Sequence, residues 1–177
     1  ERRGVKVDLI ARPAADEARE LFLRLLQEAA RRNGFAPHAK RHYAALFDTA
    51  SDTFSNELFI ARFGDEALAA ALINFYQHSR VATYLHGGSL RSHQDAMATH
   101  LLHWRVMQEA RRRGMRGYDW WGIDEKRWPG LTRFKLGFGG AVIRYPASVD
   151  IVYRPFHYWA YRSIKKARDY GLSFIKK

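Results

Sequence analysis

The chain has 177 residues, 47% of them apolar and 14% aromatic, which suits one ordinary folded domain and excludes a disordered or low-complexity protein. Thirty basic against 18 acidic residues leave a net charge of +12, an excess that favours an anionic partner: nucleic acid, a phosphorylated precursor or an anionic membrane face. Cysteine is absent, which excludes disulfides and thiolate chemistry. No run approaches the roughly 18 apolar residues of a membrane-spanning helix, and Glu1-Arg2-Arg3 does not open a signal peptide, so a cytoplasmic protein is expected.

Residues 1–12 read as an N-terminal connector, in which the alternation from Val5 to Leu9 suits a strand or an extended segment. Pro13 opens a periodic helix with the apolar stripe Ala18, Leu21, Phe22, Leu25, Leu26 and Ala29, and Asn33-Gly34 ends it. A shorter helix is expected over Arg41–Phe47. Gly64-Asp65 then turns a hairpin between Leu58–Phe63 and Ala67–Tyr76, and Val81–His86 adds a third antiparallel strand that Gly87-Gly88-Ser89 interrupts. A long helix follows over His93–Arg113, stopped by Gly114. Gly117–Trp121 reads as a buried strand and Leu131–Leu136 as a short helix or turn. Two late strands, Val142–Tyr145 and Val149–Tyr153, precede a basic helix from Pro155 to about Arg168. No internal repeat or linker interrupts 13–170, so residues 13–177 are expected to form a single domain.

This order is α+β: a mixed, mainly antiparallel sheet flanked by helices, which fits the acetyltransferase-like (GNAT-type) fold.

The informative stretches are Tyr118-Asp119-Trp120-Trp121-Gly122 and Gly130-Leu131-Thr132-Arg133-Phe134-Lys135-Leu136-Gly137-Phe138-Gly139-Gly140. With Tyr84-Leu85-His86-Gly87-Gly88-Ser89, Leu101-Leu102-His103-Trp104, and Tyr145, Asp150, Pro155 and Tyr158, they resemble the C-terminal domain of the Fem family. These enzymes attach amino acids from aminoacyl-tRNA to peptidoglycan precursors. The resemblance covers about residues 14–170 and implies the second of the two acyltransferase-like halves that typical members pair. Its implied partners are aminoacyl-tRNA, a lipid-linked or nucleotide-linked precursor and a separate N-terminal half. It also implies cytoplasmic work, with peripheral association at the inner membrane face. Two further readings stay open: an acyl-CoA-dependent N-acyltransferase, and a non-catalytic half that binds tRNA or precursor.

Attack of an amine on an aminoacyl ester creates an oxyanion, which a fixed cation stabilises. The resemblance gives that role to Lys135, held by the aromatic neighbours Phe134 and Phe138; by spacing alone the block reads rather as surface cation, core aromatic, surface cation. Arg133 has the bidentate fork that suits phosphate. Tyr84, at a strand end beside glycines, belongs in a cleft, while Trp104, Trp120 and Trp121 are read mainly as core. Arg41 and Tyr43 occupy the stretch where the family binds its precursor. Asp119, on an apolar strand, is either a base with a raised pKa or a structural acceptor of backbone N–H groups. Arg113, Arg116, Lys165 and Lys166 are candidate tRNA-phosphate contacts or complements to helix dipoles.

No cofactor is expected: the segment from Gly88 to Asp95 lacks the Arg/Gln-x-x-Gly-x-Gly/Ala spacing that cradles the acetyl-CoA pyrophosphate. His100 and His103 share a helix face with no third ligand in view, so no metal is expected either.

Overall fold

The computed structural model describes residues 4–10, 12 and 14–174; Glu1–Arg3, Ala11 and Pro13, part of the expected connector and helix start, lie outside them. β1 (Val5–Leu9) is a true strand, paired antiparallel with the far end of β2 (Phe54–Phe63) from Val5↔Phe63 to Leu9↔Phe59. Between them in sequence come α1 (Asp16–Asn33) and α2 (Lys40–Asp48). α1 buries Phe22, Leu25, Leu26, Ala29 and Ala30, the stripe its spacing dictates. Gly34 closes it at φ 68°, a left-handed angle glycine adopts freely, with its N–H on Ala30 O.

The sheet runs in chain order, β1-β2-β3-β4-β5. β3 (Glu66–Tyr76) and β4 (Val81–Ser89) continue the antiparallel meander, and β5 (Gly117–Asp119) lies parallel to β4. α3 (Ala98–Arg112) makes the crossover between the last two. Two cores result. α1 and α2 pack on one side with Leu58, Ile60, Ala70 and Leu72; α3 packs on the other with Phe59, Ala61, Ala71 and Ile73. Adjacent strand residues thus serve opposite cores, as the period of two requires. Each fully buried large side chain, Phe22 or Leu102 for example, contributes about 1.5–3 kcal/mol.

One irregularity positions the site. On β3 the consecutive residues Leu72 and Ile73 face His86 and Tyr84, so Leu85 is an extra residue in β4. Beyond it the facing of β4 inverts. Tyr84 packs with the α3-side core, whereas His86 meets Tyr43 of α2 at 5.2 Å between ring centroids. β4 and β5 pair only over Val81–Thr83 and Gly117–Asp119, and past that point β4 continues without β5.

Two expectations are corrected here. The long helix does not start at His93: a 3₁₀ turn, Gln94–Ala96, comes first, bounded by left-handed His93 (φ 51°) and Met97 (φ 54°), and the α-helix begins at Ala98. The late strands do not form, because 141–152 have no ladder partner among the described residues. Pro146 removes a donor at the expected turn, and a two-stranded ribbon alone is marginal in water.

α4 (Pro129–Leu136) ends the first of two compact units, Glu1–Gly139 and Gly140–Lys177. The second holds α5 (Pro155–Phe174), where the Tyr158 hydroxyl donates to Asp150 and the Tyr158 N–H to Arg154 O at 3.0 Å.

Candidate active site

Past the bulge, on the α3 side of the sheet, aromatic rings from four elements converge. Tyr84 comes from β4, His100 and His103 from α3, Tyr118 from β5 with Trp120 just beyond it, and Phe134 from α4 with Phe138 following. The His103 centroid lies 4.7 Å from Tyr84, 4.6 Å from Trp120 and 5.7 Å from Phe134. Phe138 stands 4.7 Å from Trp120 and 5.4 Å from Phe134, and it stacks on His100 at 5.8 Å. Such offset and edge-on pairs hold rings rigidly, each adding about 0.5–1.5 kcal/mol beyond area burial.

A cavity of about 340 Å³ opens beside this cluster, lined among others by Tyr84, Gly87, Gly88, His100, His103 and Phe134. Gly87 matters by what it lacks: a Cβ there would stand 2.4 Å from the Tyr84 hydroxyl. A larger hollow, about 770 Å³, lies between β1 and α3. Of its charged lining, Asp8, Glu109 and Arg112 are taken up by ion pairs, with Lys6 and Arg105 beside them; the ring cluster borders the smaller cavity instead.

Lys135 is the unusual cation. It is only 6% exposed, and its Nζ donates to Gly122 O at 2.7 Å while standing 5.8 Å from the Tyr84 ring centroid. Burial lowers its pKa, and the Asp119 carboxylate opposes that shift. Asp119 itself accepts the Trp121 N–H at 2.8 Å, the structural alternative read from sequence, and its charge also acts on Lys135. The first turn after β5 is thereby fixed, with Trp121 at φ 63°.

His103 is 1% exposed, with Nδ1 2.7 Å from the Tyr118 hydroxyl. Burial, then the Lys135 and His100 charges, push its pKa down to about 3, so the ring is neutral at physiological pH. Burial raises Tyr84 to about 12 and Tyr118 further still, and both phenols stay protonated. His100, at the cavity rim, is also lowered by burial.

The other sequence candidates scatter. Arg133 is exposed on α4, next to Lys135 in sequence but outside the ring cluster. Arg41 is exposed on α2, across the sheet from Lys135. Tyr43 is not a groove residue: it is 2% exposed in the α1–α2 core, and its hydroxyl accepts the His38 N–H at 3.0 Å. Arg113 is likewise no free phosphate contact. Its guanidinium forks onto Glu57 at 2.6 and 2.8 Å, reaches Glu109 at 2.7 Å and covers the Phe75 ring at 4.3 Å. Arg116 is exposed, while Lys165 and Lys166 sit on α5 of the second unit. Of the tryptophans read as core, Trp104 and Trp121 are exposed and only Trp120 joins the cluster.

Sequence reasoning missed the His103–Tyr118 pair. Both residues lie inside the family-like motifs, but nothing in either motif says that the two side chains meet. Among the described residues, no group of three or more His, Cys, Asp or Glu side chains is arranged to hold a metal, and no helix is long and apolar enough to cross a membrane.

The sequence pattern of the FemAB family matches residues 50–166, more than half of the chain. The chain belongs to the FemAB family. The crystal structure of FemX superposes with TM-score 0.59 at 17% identity, over 69% of this FemAB chain and 45% of FemX, so the chain spans less than half of that relative's length. An aminoglycoside acetyltransferase from an uncultured soil metagenomic sample, solved with sisomicin, matches at TM-score 0.59 and 12% identity, covering 86% of this chain and 99% of its own. A ribosomal-protein-alanine N-acetyltransferase from Brucella melitensis biovar Abortus 2308 gives TM-score 0.56 at 16% identity, covering 84% and 99%. At these identities the likeness is one of fold, and the fold is the acetyltransferase-like one. No curated protein matches the sequence.

Proposed function

We propose that this FemAB domain transfers an aminoacyl group from charged tRNA to an amine on the stem peptide of a peptidoglycan precursor. The observation that carries the reading is the buried Lys135 ammonium, 5.8 Å from the centroid of the Tyr84 ring that lines the cavity where β4 outruns β5. In the reaction a neutral amine attacks the ester carbonyl and forms the C–N bond, while the carbonyl electrons move to oxygen. The oxyanion collapses, the C–O bond to the tRNA ribose breaks, and the amine's proton ends on the departing hydroxyl or in solvent. Lys135 supplies positive charge for the oxyanion, Phe134 and Tyr84 exclude water, and exposed Arg133, Arg116, Lys165 and Lys166 favour the polyanion. The acceptor groove would be completed by a second acyltransferase-like half. Work at the inner membrane face follows if the precursor is lipid-linked.

The test is transfer of a radiolabelled aminoacyl group from tRNA to nucleotide-linked and lipid-linked precursors. Lys135→Ala is expected to cut kcat by about 10²–10³ with the fold intact, on the scale of losing one oxyanion donor. A wild-type chain inert with every charged tRNA and both precursors sinks the reading.

Acyl-CoA is the second reading, because the cavity also reaches Ser89, Ser92 and Thr99 near the start of α3. Against it, the backbone of α1 occupies the space beside Gly88, with Leu25 O only 2.2 Å from where a Cβ would stand. A thermal shift with acetyl-CoA separates the two, since a true cofactor stabilises the fold by mass action. Salt-dependent tRNA binding without turnover would instead mark a non-catalytic half.

A further inference from the structure

We infer that His103 is a second oxyanion donor, presenting Nε2–H to the reacting carbonyl oxygen, and that Tyr118 is the positioning residue that puts the proton on that nitrogen. The inference rests on the transfer reading above and adds to it a neutral donor next to the Lys135 charge.

His103 is a wall of the cavity, yet it lies in the interior, its ring caught between Tyr84 at 4.7 Å and Trp120 at 4.6 Å. A ring so clamped cannot swing to serve two partners. Its orientation is set from behind by the Tyr118 hydroxyl, 2.7 Å from Nδ1. That phenol stays protonated, and its own ring is packed edge-on to Trp120 at 5.0 Å; in this proposal its hydroxyl donates to Nδ1. A neutral imidazole carries one N–H. With Nδ1 accepting, the hydrogen sits on Nε2, and the ring is a fixed donor.

The surroundings fit a donor better than a base. Lys135 Nζ lies against the same Tyr84 ring, 5.8 Å from its centroid, and a cation so placed opposes protonation of the imidazole. A group that resists a proton is poor at taking one from an amine, whereas a neutral N–H needs no change of charge to bind an oxyanion. His103 therefore gains and loses no proton in the cycle. It shares with Lys135 the charge that develops on oxygen as the C–N bond forms, and gives it back when the C–O bond breaks. The amine's proton leaves by another route.

Four proteins and one spectrum test this. In transfer assays, His103→Leu is expected to lower kcat by about 10² with KM changed little, because a ground-state carbonyl engages the donor less than the oxyanion does. His103→Gln, whose amide N–H can reach the same space, should recover about tenfold of that loss, and Tyr118→Phe should lower kcat by about tenfold by freeing the tautomer. Nitrogen-15 NMR of the wild-type chain should show His103 protonated at Nε2 alone, with no titration between about pH 5 and 9. An Nδ1–H tautomer, or His103→Leu turning over like wild type, overturns the inference and leaves the transfer reading standing. Wild-type protein inert in the transfer assay overturns both. Should His103→Leu fail to fold, the spectrum and the Tyr118→Phe kinetics decide: the Nδ1–H tautomer, or Tyr118→Phe as fast as wild type, rejects it.

Discussion

Gly88→Ala perturbs the contact that seats α1 on the sheet. A methyl group at Gly88 would stand 2.2 Å from Leu25 O, 2.3 Å from Leu25 C and 2.5 Å from Leu26 N. Ordinary contact starts near 3.4 Å, so α1 must retreat by about 1 Å, and the obstacle is helix backbone, which no rotamer change can move aside. Leu25 and Leu26, each 3% exposed, and Phe22, fully buried, travel with it. Overpacking costs about 1–3 kcal/mol, and a backbone clash belongs at the upper end. At this chain length each kcal/mol shifts Tm by about 2–4 °C, so a fall of about 6–12 °C is expected in thermal unfolding followed by circular dichroism. Gly122→Ala is the control: no atom lies within 4 Å of its Cβ position and its φ is not positive, so its Tm should match or slightly exceed wild type. A Gly88→Ala protein melting within about 1 °C of wild type would refute the reasoning.

Arg113→Met strips Glu57, 9% exposed, of its cationic partner, leaving the Ser55 hydroxyl as its donor, and should cost about 3 kcal/mol by urea denaturation, whereas exposed Arg116→Ala should stay within about 0.5 kcal/mol. His103 and His86 remain neutral in the fold down to about 3 and about 4, but the unfolded chain protonates both below about 6.5. Stability from this source is thus complete above that pH and declines as pH falls below it; the urea midpoint should drop between pH 7 and 5, and His86→Gln should flatten the slope. Glu109 acts lower: hydrogen bonding from Arg112, foremost, holds its pKa at about 2, so its contribution is present above the ordinary carboxylate range and is lost as pH falls from there towards 2. Glu109→Gln should remove that acid-side loss, read as the midpoint between pH 5 and 3.

The helices and the antiparallel meander were legible because their signals are local. The stripe from Ala18 to Ala29, Gly34 at its end and the Gly64 turn each act within a few residues. The bulge at Leu85 left no such mark. It exists because β3 fixes both flanks of β4, and it decides which core Tyr84 and His86 enter. The site depended on that. The motif resemblance pointed to Lys135, but its burial comes from Tyr84 and from Gly122 O, parts of the chain that sequence spacing does not relate. Arg113 misled for the opposite reason. An arginine at a helix end looks free until Glu57, 56 positions away, turns out to face it. The run from Val142 to Tyr153 read as strands because apolar alternation says only that a segment suits a sheet, and pairing needs a partner edge.

Lys135→Met separates the two reasons a chain can have for burying a lysine. If the ammonium served stability, removing it would hurt. Its single described hydrogen bond, to Gly122 O, is a thin return for desolvating a charge at 6% exposure, even with the Asp119 carboxylate acting on it. Methionine fills a similar volume, and Gly122 is exposed, so water can replace the lost donor. The variant should therefore be as stable as wild type or more stable by up to about 2 kcal/mol at pH 7. The lowered pKa adds a direction: the unfolded chain holds its lysine proton up to about 10.5 and the fold releases it sooner, so the difference between the two proteins should narrow as pH rises towards that value. Transfer should meanwhile fall by about 10² or more, while Lys135→Arg, which keeps the charge, retains part of it. Urea titrations at pH 7 and 9.5 alongside the transfer assay read all three. A Met variant that loses stability yet keeps its turnover would make Lys135 a structural residue and move the oxyanion charge elsewhere.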